Sequence, residues 1–129
     1  MTQFAKKIKL TNGLSVIYEK NDAVGIVSLQ IGVRVGSANE QAHESGLCHL
    51  IEHMVFKGTQ SFAPGEIATR VEAHGGELNA YTSLDQTVYY INLPSRHLAV
   101  GLKLLKEMVF DAKMDAAELE REKEVVIEE

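Results

Sequence analysis

The chain has 129 residues, of which 45% are hydrophobic and 24% charged, and its formal net charge is −5. This length corresponds to one ordinary domain that can bury a core, and the composition excludes the disordered and fibrous classes. The acidic excess lies in segment 115–129, where seven acidic residues stand against two basic ones. The remainder is balanced in charge, so we expect no nucleic-acid partner.

The sequence carries no pattern typical of a membrane or secreted protein. No apolar stretch approaches the roughly 20 residues of a membrane span, and residues 1–10 lack the apolar region of a secretory signal. We therefore expect a cytoplasmic protein without a membrane partner. The single cysteine, Cys48, excludes an internal disulfide and is compatible with a reducing compartment.

The first third of the chain predicts strands. Two short strands at 7–10 and 15–19 flank Asn12-Gly13, a dipeptide typical of tight hairpin turns. Segment 24–35 alternates apolar residues with smaller or polar ones, which favours a half-buried strand.

Two helices and a strand pair follow a polar loop at 36–44. Ser45 is the predicted N-cap of a helix that runs to about Phe56, with Gly58 just beyond its end. A second helix is predicted at 65–74, and strands at 78–83 and 87–93.

The last third predicts two more helices. Segment 96–110 has apolar residues at helical spacing, and Asp115 with Glu118 forms a capping-box-like start for the final helix. Strands, a helix pair, more strands and two further helices indicate an α+β fold, with helices packed on a largely antiparallel sheet.

An H-x-x-E-H pattern within the first helix is the strongest chemical signal. His49 and His53, four residues apart, share one helix face, and Glu52 lies close to it. Two neutral imidazoles and a carboxylate base are what a catalytic zinc site needs, and this order is the inverted zincin signature. The spacing alone is equally compatible with a helix that holds two partly buried histidines.

A zinc site needs a third protein ligand. Cys48 points about 100° away from His49 on the helix, so we interpret it as a small core residue. His43, His74 and His97 are interpreted as structural or solvated.

The final helix offers a better candidate for the third ligand. Glu122, Val125, Val126 and Glu129 form one stripe, in which two carboxylates flank an apolar pair. Such a stripe suits a helix whose valines pack inward while its carboxylates meet a cation. The spacing does not establish that this helix reaches His49 and His53.

These residues resemble the insulinase, pitrilysin and mitochondrial-processing-peptidase family of zinc metallopeptidases over nearly the whole chain. Four blocks carry the resemblance: NGL at 12–14, VRVGS at 33–37, GLCHLIEHMVFKGT at 46–59 and GGELNAYTS at 75–83. The first two blocks are weak alone, whereas the last two together are specific.

The resemblance implies a role for each matching residue. His49 and His53 would bind Zn²⁺, Glu52 would be the general base, and Glu129 matches the third ligand on a later helix. Glu122 matches a second family glutamate that supports catalysis. Asn79 and Ala80 match an edge strand that binds an extended peptide by adding it to the sheet.

The resemblance also sets expectations for the whole molecule. Residues 1–129 would form a single N-terminal catalytic half-domain of the insulinase-like fold, truncated before a second homologous domain or subunit that completes the chamber. Cys48 departs from the small residue that the family usually has there. The expected function is a zinc-dependent endopeptidase acting on peptides. The alternatives are a non-catalytic structural or assembly subunit of the same fold and a small-molecule metalloenzyme.

Overall fold

A two-stranded hairpin opens the part of the chain that the structure describes. The structure is a computed structural model that describes residues 5–129, so the first four residues of segment 1–10, which is predicted to lack a secretory signal, lie outside it. Strands β1 (Lys6–Lys9) and β2 (Ser15–Tyr18) pair antiparallel. The turn between them places Gly13 at φ +90°, which a glycine adopts without strain.

A three-stranded antiparallel sheet forms the centre of the fold. Its strands are β3 (Ile26–Val33), β4 (Glu77–Thr82) and β5 (Thr87–Pro94), in the spatial order β3-β5-β4. The predicted strand at 24–35 is therefore shorter than expected at both ends. Because β5 is central, β3 and β4 each present an edge within residues 5–129, and β4 is the strand that carries Asn79 and Ala80.

All four predicted helices are present. They are α1 (Leu47–Val55), α2 (Glu66–Ala73), α3 (Leu98–Phe110) and α4 (Ala116–Glu128). Helices α1, α2 and α3 pack on the sheet, and α4 packs on α1. The main cluster of buried apolar residues comes from one sheet face and from the helices that cover it: Val55, Ile67, Val71, Tyr89, Ile91, Leu93, Leu104, Leu105 and Met108. The α+β prediction is confirmed.

Some loops and helices differ from their predicted bounds. The loop at 36–44 contains two short 3-10 turns, Ser37–Asn39 and Ala42–Glu44. A third turn, Ser95–His97, precedes α3, so this helix begins later than predicted. At α4 the predicted cap is confirmed, because the Asp115 carboxylate accepts hydrogen bonds from the second and third amides after it.

The helices are not of the membrane-spanning kind. Within residues 5–129, none combines the length and the apolar character that crossing a bilayer requires.

The start of α1 is held by a residue outside the helix. The N-cap of α1 is Gly46, at φ +88°, so the prediction of Ser45 as the N-cap is wrong. The Glu40 carboxylate instead accepts hydrogen bonds from the Gly46 N–H (2.9 Å) and the Cys48 N–H (2.7 Å). These two bonds satisfy amides that a helix leaves unpaired in its first turn, and they place a negative charge at the positive end of its dipole.

Glu40 should make stability depend on pH in a defined window. The Cys48 amide first, and then the Gly46 amide, hold the pKa of Glu40 below its ordinary 4.5. A carboxyl whose pKa is lower in the folded state stabilises the fold at pH values above its pKa in the unfolded state. This contribution is lost as the pH falls through its pKa in the folded state. We expect Glu40→Gln to lower the Tm at pH 7, and the gap to the parent to close as the pH falls below 4.5.

Thermal unfolding followed by circular dichroism from pH 7 to pH 3 measures this gap. Glu124→Gln, an exposed carboxylate on α4, is the control and should leave the Tm nearly unchanged. A Tm gap for Glu40→Gln that stays constant over the whole pH range would contradict the role of the carboxylate charge.

Candidate metal centre and peptide edge

The two motif histidines converge on one point at the surface of α1. Four residues apart, His49 and His53 lie one above the other on the helix. Their Nε2 atoms are 3.0 Å apart, and their rings meet edge to face with centroids separated by 4.5 Å. Side-chain exposure is 38% for His49 and 19% for His53, so both rings are partly accessible to solvent.

The end of α4 brings a carboxylate to the same point. Glu129 Oε2 lies 3.3 Å from His49 Nε2 and 3.5 Å from His53 Nε2. Around a tetrahedral zinc with ligand bonds of about 2.0–2.2 Å, neighbouring ligand atoms are separated by about 3.4 Å. The three atoms thus have the spacing of one face of such a tetrahedron. Within residues 5–129 this is the one group of three or more side chains suited to hold a metal ion.

Glu122 is buried beside His53, one of the two histidines of this group. Its side chain is 8% exposed, and its two oxygens contact different partners: Oε1 is 2.9 Å from His53 Nδ1 and Oε2 is 2.6 Å from Lys57 Nζ. Burial by itself raises the pKa of Glu122, but the hydrogen bonds from Lys57 and His53 outweigh it and lower the pKa overall. The carboxylate is therefore ionised at neutral pH.

An ionised Glu122 fixes the proton of His53. A carboxylate accepts hydrogen bonds and does not donate them, so the short contact assigns the proton to His53 Nδ1. The lone pair of Nε2 then faces His49 and Glu129. This carboxylate–histidine arrangement is the usual outer support of a metal-binding imidazole.

Glu52 is held by the sheet. The Thr82 hydroxyl, on the last residue of β4, donates a hydrogen bond to Glu52 Oε2. Glu52 is half-buried, and its charge is the second cause, after burial, that raises the pKa of Tyr89 to about 12. One carboxylate oxygen of Glu52 is thus oriented by the Thr82 hydroxyl.

The free edge of β4 runs beside this centre. The Ser83 N–H donates to the Gln86 carbonyl across the β4–β5 turn at 2.8 Å. Bonded and non-bonded pairs alternate along an antiparallel ladder, so the backbone groups of Leu78, Ala80 and Thr82 point away from β5. In this structure the Ala80 N–H donates to the side chain of Asn79, at 2.8 Å from Oδ1.

The other sequence candidates lie outside the cluster. Cys48 is buried, as predicted, and burial raises its pKa. The His43 side chain is 76% exposed. His74 and His97 contact each other instead, with ring centroids 4.8 Å apart.

The stripe on α4 agrees with its prediction only in part. Val126 is half-buried, but Val125 is 43% exposed. The valine pair therefore does not pack fully inward, and Glu122 is the buried residue of this helix.

Two residues of the centre escaped the sequence reasoning. Lys57 and Thr82 both lie inside the motif blocks, yet neither shows a local pattern that predicts its contact. Lys57 meets Glu122 on a distant helix, and Thr82 meets Glu52 across the interface between β4 and α1. Only the tertiary fold joins these pairs.

Comparison with known sequences gives consistent matches. Residues 15–129 match the profile of the insulinase family, peptidase family M16. An uncharacterized zinc protease of Bacillus subtilis, YmxG, is 36% identical over 96% of this chain, and the match covers 30% of that protein. The beta subunit of the mitochondrial-processing peptidase of Blastocladiella emersonii is 36% identical over 94% of this chain, which corresponds to 26% of that protein.

Solved structures agree with the sequence matches. A protease from Helicobacter pylori superposes with a TM-score of 0.92 at 32% identity, over 98% of this chain and 30% of its own length. The periplasmic protease PqqL of Escherichia coli superposes with a TM-score of 0.86 at 29% identity, over 99% of this chain and 15% of its own length. The chain thus spans less than a third of the length of these relatives.

The ligand geometry predicts stabilisation by zinc that depends on Glu129. A ligand that binds only the folded state, at a free concentration of 100 times its Kd, stabilises that state by about 2.7 kcal/mol. This raises the Tm of a domain this size by about 10 °C. We expect Zn²⁺ to raise the Tm of the parent and to raise that of Glu129→Gln much less. Differential scanning fluorimetry over a zinc titration measures both.

Glu128→Gln is the matched control, since Glu128 is an exposed carboxylate one position earlier. It should keep the full zinc response. Equal responses in the Glu129 and Glu128 variants would argue against Glu129 as a ligand.

Proposed function

The chain belongs to the insulinase family, peptidase family M16, and from this membership and the geometry of its centre we propose that it is a zinc-dependent endopeptidase module. The observation that carries the proposal is the convergence of His49, His53 and Glu129 within 3.0–3.5 Å of one another. Two imidazole nitrogens and one carboxylate oxygen match the donor set of a catalytic zinc site, which keeps its fourth position open.

The proposed mechanism assigns the proton transfers to Glu52. Zinc, when bound, polarises the scissile carbonyl and increases the acidity of the attacking water. Glu52 takes the proton of that water and delivers it to the leaving amine. The hydroxyl of Thr82 orients one oxygen of Glu52, so the other oxygen is directed at the water.

The peptide substrate is proposed to bind as an added strand on β4. The backbone groups of Leu78, Ala80 and Thr82 that point away from β5 can form main-chain hydrogen bonds that are independent of the substrate sequence. To bind there, the peptide displaces Asn79 Oδ1 from the Ala80 N–H. The freed Asn79 amide can then bond to the peptide itself.

We also propose that the chain works as the N-terminal half-domain of a larger chamber. In support, it spans 30% of the Bacillus subtilis relative and 26% of the Blastocladiella emersonii relative. A second homologous domain or subunit would close the chamber over the β4 edge.

A single substitution tests the endopeptidase proposal. Glu52→Gln keeps the size of the side chain and removes the base, so we expect zinc binding to persist while cleavage falls by about 10²–10⁴-fold. The measurements are metal content and chelator-sensitive cleavage of unstructured fluorogenic peptides. Glu120→Gln, an exposed carboxylate on α4, is the control and should cleave like the parent.

Other outcomes separate the alternatives. A parent chain that binds zinc but cleaves no peptide would favour a non-catalytic structural or assembly subunit. Equal cleavage by the parent and by Glu52→Gln would show that Glu52 is not the general base.

The β4 edge makes a separate prediction for substrate affinity. Ala80→Pro removes the N–H that faces the free edge, a position where a strand tolerates proline. Losing one hydrogen bond of about 1 kcal/mol should raise KM about fivefold and leave zinc binding unchanged. Ala80→Ser keeps the N–H and serves as the control. An unchanged KM for Ala80→Pro would argue against peptide binding at this edge.

A further inference from the structure

Lys57 reaches the centre from the turn that follows α1. Its Nζ lies 2.6 Å from Glu122 Oε2, and its side chain is 29% exposed. The mechanism proposed above assigns no role to this lysine.

The backbone around Lys57 is fixed on both sides. The Lys57 N–H donates to the Met54 carbonyl at 3.0 Å, and the Gly58 carbonyl accepts from the Lys113 N–H at 2.9 Å. Gly58 has φ +99°, and an added Cβ there would meet the Phe62 carbonyl oxygen at 2.9 Å. The ammonium is therefore presented from a rigid turn rather than from a mobile loop.

The geometry of Glu122 depends on both of its partners. One oxygen accepts from His53 Nδ1 and the other from Lys57 Nζ, so the carboxylate cannot rotate without losing one of the two bonds. If Lys57 were removed, the bond to His53 would hold the carboxylate at one point and leave its plane free to turn. The ring of His53 would lose the fixed acceptor that sets its orientation and its tautomer.

We propose that Lys57 is a positioning residue for the metal centre: it fixes Glu122, and through Glu122 it holds the His53 ring with Nε2 aimed at the ion. The inference rests on the proposed function, since it assumes that His53 is a zinc ligand. The competing explanation is structural, because the same ion pair also fastens α4 to α1.

Zinc affinity separates the two explanations. Removing an outer partner of a metal-binding histidine typically weakens binding 10–100-fold, and Lys57 acts one contact further out. We therefore expect Lys57→Met to raise the zinc Kd about 10-fold, and Lys57→Arg to stay near the parent because it keeps the charge and the donor. Competition with a chromogenic chelator, on protein shown to be folded by circular dichroism, measures the Kd.

Lys106→Met is the matched control, because Lys106, on α3, forms an ion pair with Asp111 and with no residue of the centre. It should bind zinc like the parent. A Lys57→Met variant that melts at a lower temperature yet binds zinc as tightly as the parent would overturn the inference. So would an equal loss of affinity in Lys57→Arg and Lys57→Met.

A second readout does not require zinc. The ¹⁵N shifts of the His53 ring report which nitrogen carries the proton in the metal-free chain. We expect the proton on Nδ1 in the parent and a mixture of tautomers in Lys57→Met, or in Lys57→Gln if the methionine variant does not fold. A parent that binds no zinc would refute the proposed function, while these shifts still decide the inference: identical tautomers in parent and variant would overturn it.

Discussion

The contact between His53 and Glu122 is the interaction on which the rest of the centre depends. Helix α4 packs on α1, and its one buried residue is Glu122. Two of its apolar side chains, Val125 and Ile127, are 43% and 83% exposed, whereas Leu119 and Val126 are half-buried. The buried carboxylate therefore orients the helix more sharply than this partial apolar contact does, because hydrogen bonds require defined distances and angles.

This arrangement has a direct consequence for Glu129. Glu129 lies two turns beyond Glu122, so any rotation of α4 about its axis or away from α1 moves Glu129 relative to both histidines. Since Glu129 is 49% exposed, little packing restrains it locally. The position of the proposed third ligand atom is therefore set from a distance, by the bonds of Glu122 to His53 and Lys57. A buried carboxylate is stable in this place only because both of its oxygens are paired.

The sequence predicted those features that local patterns determine. The hairpin at Asn12-Gly13, the helical spacing of His49 and His53 and the Asp115 cap all depend on residues close in the chain. The cap of α1 was predicted wrongly because a distant group replaced a local one. Ser45 is not the cap of α1, because Glu40 reaches in from the preceding loop to bind the first amides. The position of Glu129 at the histidines was expected from a family resemblance, not from its spacing. The contacts of Lys57 and Thr82 had no signal in the chain, because each joins elements that only the tertiary fold brings together.

In the proposed function, strand β4 links the peptide edge to the acid–base chemistry. Ala80 and Thr82 face the same edge and are two residues apart, which is about 7 Å along a strand. Ala80 would give its N–H to the added peptide strand in place of Asn79 Oδ1, and Thr82 orients Glu52 through its hydroxyl. A peptide that pairs with this edge would thus be aligned by the strand that also holds the proposed base. Because the repeat along a strand is two residues, a slip to the next equivalent register moves the peptide by that same 7 Å. Such a displacement would carry a carbonyl out of reach of Glu52, so in the proposed function the pairing register on β4 selects which bond is presented for cleavage.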